Sequence, residues 1–110
     1  MFQVMKIFKK RERTYDGGTK YSNSTGSMTI YQYRDGSTRL YSYGTLVLKT
    51  SRDGYIICTG TYSNTTRRHI NTYLANFADG LTLNDLKDII GTPYAINTKT
   101  KRYAYAADHF

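Results

Sequence analysis

The stretch Met28-Thr29-Ile30-Tyr31-Gln32-Tyr33-Arg34-Asp35-Gly36-Ser37-Thr38-Arg39-Leu40-Tyr41-Ser42-Tyr43 decides the fold class. Two runs of β-branched and aromatic residues flank an Asp-Gly pair, the local signal for a β-hairpin whose turn needs positive φ. Read as a two-residue loop, Asp35-Gly36 sets Ile30 opposite Tyr41, Tyr31 opposite Leu40 and Gln32 opposite Arg39. Just downstream, Arg52-Asp53-Gly54 repeats the arrangement between 45–50 and 55–61. A four-strand antiparallel meander over 28–62 follows, its halves joined near Gly44 through a bend or bulge.

Working outward, the periodicity changes after Tyr62. Ile70, Tyr73, Leu74 and Phe77 recur at the spacing of a helix face, with Asn64, Thr65 or Thr66 placed to cap the first turn, so a helix is expected over about 66–78. Thr82 with Asp85 three residues on has the form of a capping box, followed by Leu83, Leu86, Ile89 and Ile90 and stopped by Gly91. Two amphipathic helices over 65–91 need an apolar surface to cover, and the sheet is the only large one. The expectation is an α+β fold, an antiparallel sheet of four to six strands with two helices packed on one face. A C-terminal strand or hairpin is expected over 94–107. Upstream, 4–9 reads as a further edge strand within a basic N-terminal segment (1–14). The span 16–27, with three glycines and many hydroxyls, reads as a loop.

At 110 residues the chain is expected to form one domain. Its 39% hydrophobic content rests heavily on twelve tyrosines, whose hydroxyls must reach water or a partner and so favour the margin of a core. The lone cysteine, Cys58, excludes an intramolecular disulfide, and between apolar neighbours it reads as a buried thiol in a reducing compartment. The order of apolar and basic residues near the N-terminus is the reverse of a secretory signal, and no run approaches the roughly 20 apolar residues that span a bilayer. No membrane partner and a cytoplasmic location are therefore expected.

The net charge of +8 arises within the first 78 residues, where twelve Lys and Arg face four acids and are interleaved with nine tyrosines. Such a surface suits a polyanion, because cations attract phosphate and flat rings stack on bases. The densest charge is Lys9, Lys10, Arg11 and Arg13, suited either to lying along a phosphate backbone or to keeping an exposed sheet edge from pairing with neighbours. Tyr31 and Tyr33 share one face of their strand, near Arg34 and Arg39. The competing reading of these rings is packing on one another across strands, with no ligand.

The stretch Ser42-Tyr43-Gly44-Thr45-Leu46-Val47-Leu48, a second apolar strand, and then Tyr62-Ser63-Asn64-Thr65-Thr66-Arg67-Arg68-His69 resembles a family of small proteins carried by phages and other mobile elements. In that family a strand pair runs into a Tyr-Ser-x-Thr-Thr-x-x-His segment, and the match covers about a third of the chain. The resemblance implies an origin in a phage, hence the cytoplasm of a bacterial host. It also implies a role in binding nucleic acid or in antagonising host defence by docking on a nucleoprotein complex or enzyme.

Within the motif, Ser63, Thr65 and Thr66 lie where a helix start presents free N–H groups, and Arg67 and Arg68 add charge, an arrangement able to hold a phosphate. The same residues suit a strand-to-helix junction in which hydroxyls cap the helix and His69 bonds a backbone carbonyl. Catalysis is not expected. A nuclease would need His69, and the other histidine, His109, is the penultimate residue. Cys58 lacks an activating neighbourhood. Two histidines, one cysteine and scattered acids show no metal-ligand spacing, and the Asp85/Asp88 pair reads as a solvated helix face. No cofactor is expected. The expected anion-binding set is thus Lys9, Lys10, Arg11, Arg13, Arg34, Arg39, Arg67, Arg68, Tyr31, Tyr33, Ser63, Thr65, Thr66 and His69.

Overall fold

A computed structural model describes residues 10–78 and 80–110, Lys10 through its backbone alone. Among the described residues, eight strands form one antiparallel sheet in which spatial order follows chain order: β1 (Lys10–Arg13), β2 (Thr19–Ser22), β3 (Met28–Gln32), β4 (Thr38–Ser42), β5 (Thr45–Thr50), β6 (Tyr55–Cys58), β7 (Tyr94–Asn97) and β8 (Tyr103–Tyr105). Between β6 and β7 the chain forms α1 (Asn64–Phe77) and the single turn α2 (Leu83–Leu86). The α+β class and the C-terminal hairpin are as expected, but the sheet exceeds four to six strands. The supposed loop 16–27 contains β2, and the basic segment contributes β1. The edge strand expected over 4–9 lies outside the described residues.

Three hairpins turn through the same local chemistry. In Tyr15-Asp16-Gly17, Arg34-Asp35-Gly36 and Arg52-Asp53-Gly54 the glycine takes φ of 89°, 95° and 91°, and its N–H returns to the carbonyl of the last strand-side residue. These are three-residue loops, one residue longer than the two-residue reading. The extra residue resets the register: Ile30 faces Leu40, Tyr31 faces Arg39 and Gln32 faces Thr38. Because side chains alternate between faces, this shift carries Leu40 inward and Tyr41 outward. The aspartates help hold the loops. Asp16 accepts from the Thr14 hydroxyl and from Gly18 N–H at 3.0 Å, and Asp35 from the Ser37 hydroxyl at 2.7 Å and Ser37 N–H at 2.9 Å, and these bonds hold both carboxyls below the usual range.

The junction near Gly44 is a full chain reversal, not a bend, and the bulge falls beyond it in β5, where Leu40 pairs Leu48 but Tyr41 pairs Leu46. The extra residue, Val47, is fully buried with Leu48. At the reversal Tyr43 and Gly44 both have positive φ, 51° and 81°, which a side chain at Tyr43 tolerates poorly. Tyr43→Asn is therefore expected to raise stability by about 0.5 to 1 kcal/mol, read as a higher midpoint in urea. An unchanged or lower midpoint would show that the Tyr43 ring, 5.9 Å from His69, repays the strain.

On one face of the sheet Tyr21, Ile30, Leu40, Leu48 and Cys58 form a cross-strand row, and Met28, Ile56 and Ile96 extend it. The α1 stripe read from the sequence, Ile70, Tyr73, Leu74 and Phe77, covers this row, with Leu86 and Ile89 beside it. Tyr73 is fully buried, and its hydroxyl meets those of Thr38 and Thr50, the latter at 2.5 Å, so its polar atom is satisfied inside the core. Ser63, rather than the residues after it, is the α1 N-cap, taking the Thr66 N–H at 3.1 Å. Thr82 and Asp85 do form the expected box, with Thr82 N–H on Asp85 Oδ2 at 2.9 Å. The helix nevertheless ends at Leu86 instead of Gly91: the chain continues in turns, with Ile89 N–H on the Leu86 carbonyl at 3.0 Å, and Gly91 N–H bonds the Cys58 carbonyl of β6 at 2.9 Å. Cys58 is buried as expected, and burial pushes its thiol up.

Candidate nucleic-acid interface

With both helices on one side, the other face of the sheet carries the polar set of each strand. Register places Glu12, Lys20, Tyr31, Arg39, Lys49 and Ile57 in one straight row across β1 to β6, perpendicular to the strands. Lys20, Arg39 and Lys49 thus lie on a line spanning β2 to β5, about 14 Å at ordinary strand spacing. Tyr33 lies two residues on from Tyr31, just past the end of β3, and Tyr41 pairs with Thr29 in the next row.

These side chains touch one another. The Tyr31 and Tyr33 rings lie 6.0 Å apart and 11° from parallel, and Tyr41 meets Tyr31 edge-on at 5.6 Å. Lys20 lies 5.7 Å from the Tyr31 centroid and Arg39 5.5 Å from that of Tyr33. Contacts of this kind hold rings and cations in place on the half-exposed outer surface. Burial pushes the Tyr33 phenol up while Arg39 pulls it down, and a Tyr41 hydrogen bond favours the charged Arg39 guanidinium. Tyr33 is therefore a neutral ring beside a fixed cation.

Two recesses flank the stacked pair and share it. One, of about 580 Å³, is lined by Gly26, Thr29, Tyr31, Tyr33, Tyr41 and Gly44; the other, about 240 Å³, by Arg13, Thr14, Tyr15, Lys20, Tyr31 and Tyr33. The C-terminal tail bounds the platform on the far side. His109 stacks on Tyr55 at 3.7 Å and bonds Asp53 at 2.6 Å, and the Phe110 ring lies 5.3 Å from Lys49. His109, the penultimate residue, is tied down on this face.

The expected binding residues therefore divide. Tyr31, Tyr33 and Arg39 come together, Arg13 borders them, and Arg34 stands at the loop end, its N–H 3.5 Å from Asp16. Arg11 lies on the edge strand, 5.8 Å from the Tyr21 ring. Lys10 belongs to the same strand, and Lys9 lies outside the described residues. Sequence reading missed Lys20, Tyr41 and Lys49, which no local spacing connects; only the cross-strand parity of three hairpins could have found them.

Ser63, Thr65, Thr66, Arg67, Arg68 and His69 sit on the helix side, away from this platform. Their hydroxyls serve the junction: Ser63 caps, Thr66 meets Ser42 at 3.1 Å, and Thr65 accepts from Arg68 at 3.3 Å. His69 is nearly buried, and its Nδ1 meets the Ser42 hydroxyl at 2.8 Å rather than a backbone carbonyl. Burial, with Arg68 nearby, holds its pKa below 6.5, so the unfolded chain takes up a proton first as pH falls. Its contribution to stability is full above pH 6.5 and declines as pH drops toward the folded value. His69→Asn is expected to flatten that part of a urea-midpoint profile between pH 7 and 5; an unchanged slope would refute the assignment. Among the described residues no three His, Cys, Asp or Glu are grouped to hold a metal ion, and no helix is long and apolar enough to cross a membrane.

A family model matches residues 9–90, three quarters of the chain. The chain belongs to DUF8033, a family of unknown function. The matched span of this DUF8033 chain runs from β1 past α2 and includes the whole Lys20–Tyr31–Arg39–Lys49 line. Searches of curated proteins and of solved structures gave no match.

Proposed function

We propose that this DUF8033 protein binds nucleic acid through the helix-free face of its sheet, without doing chemistry on it. The observation that carries the reading is the cross-strand line of Lys20, Arg39 and Lys49 with Tyr31, Tyr33 and Tyr41 packed among them. Phosphates meet the cations and bases the rings, the combination that sequence-tolerant binders use. The net charge of +8 supports the same reading, since it raises the encounter rate with any polyanion.

The test is a salt titration of binding to a fluorescein-labelled oligonucleotide of mixed sequence. Affinity is expected to fall steeply with salt, and the variant Lys20→Ala/Arg39→Ala/Lys49→Ala to bind more weakly. Its slope of log K against log salt is expected to be shallower by roughly 2, since each lost phosphate contact removes about 0.7 to 0.9. Salt-independent binding, or a triple variant indistinguishable from the parent, would refute the proposal.

A second reading, docking on a host nucleoprotein or defence enzyme, draws on a different surface. Tyr94, Tyr103 and Tyr105 are exposed at the β8 edge, Tyr94 and Tyr105 stacked at 4.9 Å, and Tyr94 and Tyr103 line a recess with Asp88 and Ile89. Retention of one protein from nuclease-treated bacterial lysate, lost on Tyr103→Ala, would favour it.

A further inference from the structure

Resting on the nucleic-acid reading above, we infer that the platform is built for single strands and excludes duplex from its rings. The strand's backbone crosses β2 to β5 over Lys20, Arg39 and Lys49, and its bases lie on Tyr31 and Tyr33. The first reason is width. Tyr31 stands on β3 with β2 on one side and β4 and β5 on the other, so the ring lies inside a four-strand surface about 14 Å across between strand axes alone. A major groove is about 12 Å wide and admits a helix or a two-stranded ribbon. Rings in the middle of this surface cannot reach base edges in a duplex, whose base faces are in any case stacked on one another.

The second reason is the way the rings are presented. Tyr31 and Tyr33 stack on one another, parallel within 11°, so a base that continues the stack meets the same tilt at either end. Recesses open on either side of this pair, and the larger, about 580 Å³, falls within the roughly 300 to 1,000 Å³ of pockets that take small organic ligands. Its rim includes Gly26 and Gly44, where an added Cβ would meet nothing within 4 Å, so the approach from that end is open. Neither recess presents a charged acceptor: Thr29, Tyr31, Tyr33 and Tyr41 line the larger, and Arg13 and Lys20 add positive charge to the smaller. Such sites accept any base through its π face, and phosphate lies at their margin.

The third reason is extent. His109 and Phe110 close the platform at β5 and β6, so only a few nucleotides are held. A short footprint without groove insertion is suited to a flexible strand and poorly suited to a rigid duplex.

The experiment compares three fluorescein-labelled 12-mers of one mixed sequence at one salt concentration: single-stranded DNA, single-stranded RNA and the DNA duplex. Each is titrated with the parent and with Tyr31→Ala/Tyr33→Ala. At least one single strand is expected to bind ten-fold or more tightly than the duplex, and the double variant to lose that preference while its residual duplex binding stays unchanged. Preference for one sugar identifies the strand as DNA or RNA and supports the inference. Duplex binding equal to or tighter than both single strands would overturn it and leave the nucleic-acid reading standing. Absence of binding to all three would overturn both. Circular dichroism and a urea midpoint on the double variant separate lost binding from lost folding.

Discussion

Leu40→Ala is expected to lower the stability of the domain by about 3 to 5 kcal/mol, the upper part of the range for a fully buried leucine. Leu40 is inaccessible to solvent and lies between Ile30 and Leu48 in the cross-strand row beneath α1. Truncation leaves a cavity floored by the sheet and flanked by Ile30 and Leu48, and hydrogen-bonded strands cannot collapse into it as a loop could. For a domain whose total stability is on the order of 5 to 15 kcal/mol, such a loss is a large share. Urea denaturation followed by circular dichroism measures it, as a lower midpoint with a similar slope. A loss under about 1 kcal/mol would be incompatible with Leu40 facing the helices. It would instead fit the register in which Leu40 sits opposite Tyr31 on the outer face.

The largest effect on binding is expected from Tyr31→Ala/Tyr33→Ala. Each ring that stacks a base contributes roughly 1 to 3 kcal/mol, so the pair is expected to weaken affinity for a single-stranded oligonucleotide by about 30-fold or more. Lys20 and Arg39, which lie near these rings, keep their charge in the variant, so the loss falls on stacking. The conservative change Tyr31→Phe/Tyr33→Phe keeps the faces and drops only the hydroxyls, and is expected to bind within a few-fold of the parent. Equal loss in the Phe and Ala proteins would show that the hydroxyls, and not stacking, make the contact. Because the rings are half-buried on an outer surface, the Ala variant is expected to remain folded at 25 °C.

How legible this was in the chain depended on whether the signal was local. The meander from β3 to β6 and the α1 stripe were readable, since turn glycines and the spacing of Ile70, Tyr73, Leu74 and Phe77 act within a few residues. β2 was not, because Thr19-Lys20-Tyr21-Ser22 has one inward apolar residue and sits among glycines and hydroxyls. Yet Tyr15-Asp16-Gly17 carries the same turn chemistry as the two loops that were recognised, and it marks the first hairpin. The register was missed by one residue, a slip that inverts a whole strand. Matching apolar Ile30 with apolar Leu40 would have selected the three-residue loop.

Local chemistry by itself determined that the chain would alternate strands through Asp-Gly turns, form an amphipathic helix after Tyr62, and bury Cys58. These follow from φ preferences and side-chain periodicity, which each segment carries whatever its neighbours do. Which cations meet which rings was decided only by tertiary structure. Lys20, Tyr31, Arg39 and Lys49 belong to four strands, and their alignment depends on the parity of three successive loops and the position of the Val47 bulge. Likewise, the helix could settle on only one face, and its choice of Leu40 over Tyr41 is what left the tyrosines and their cations on the other.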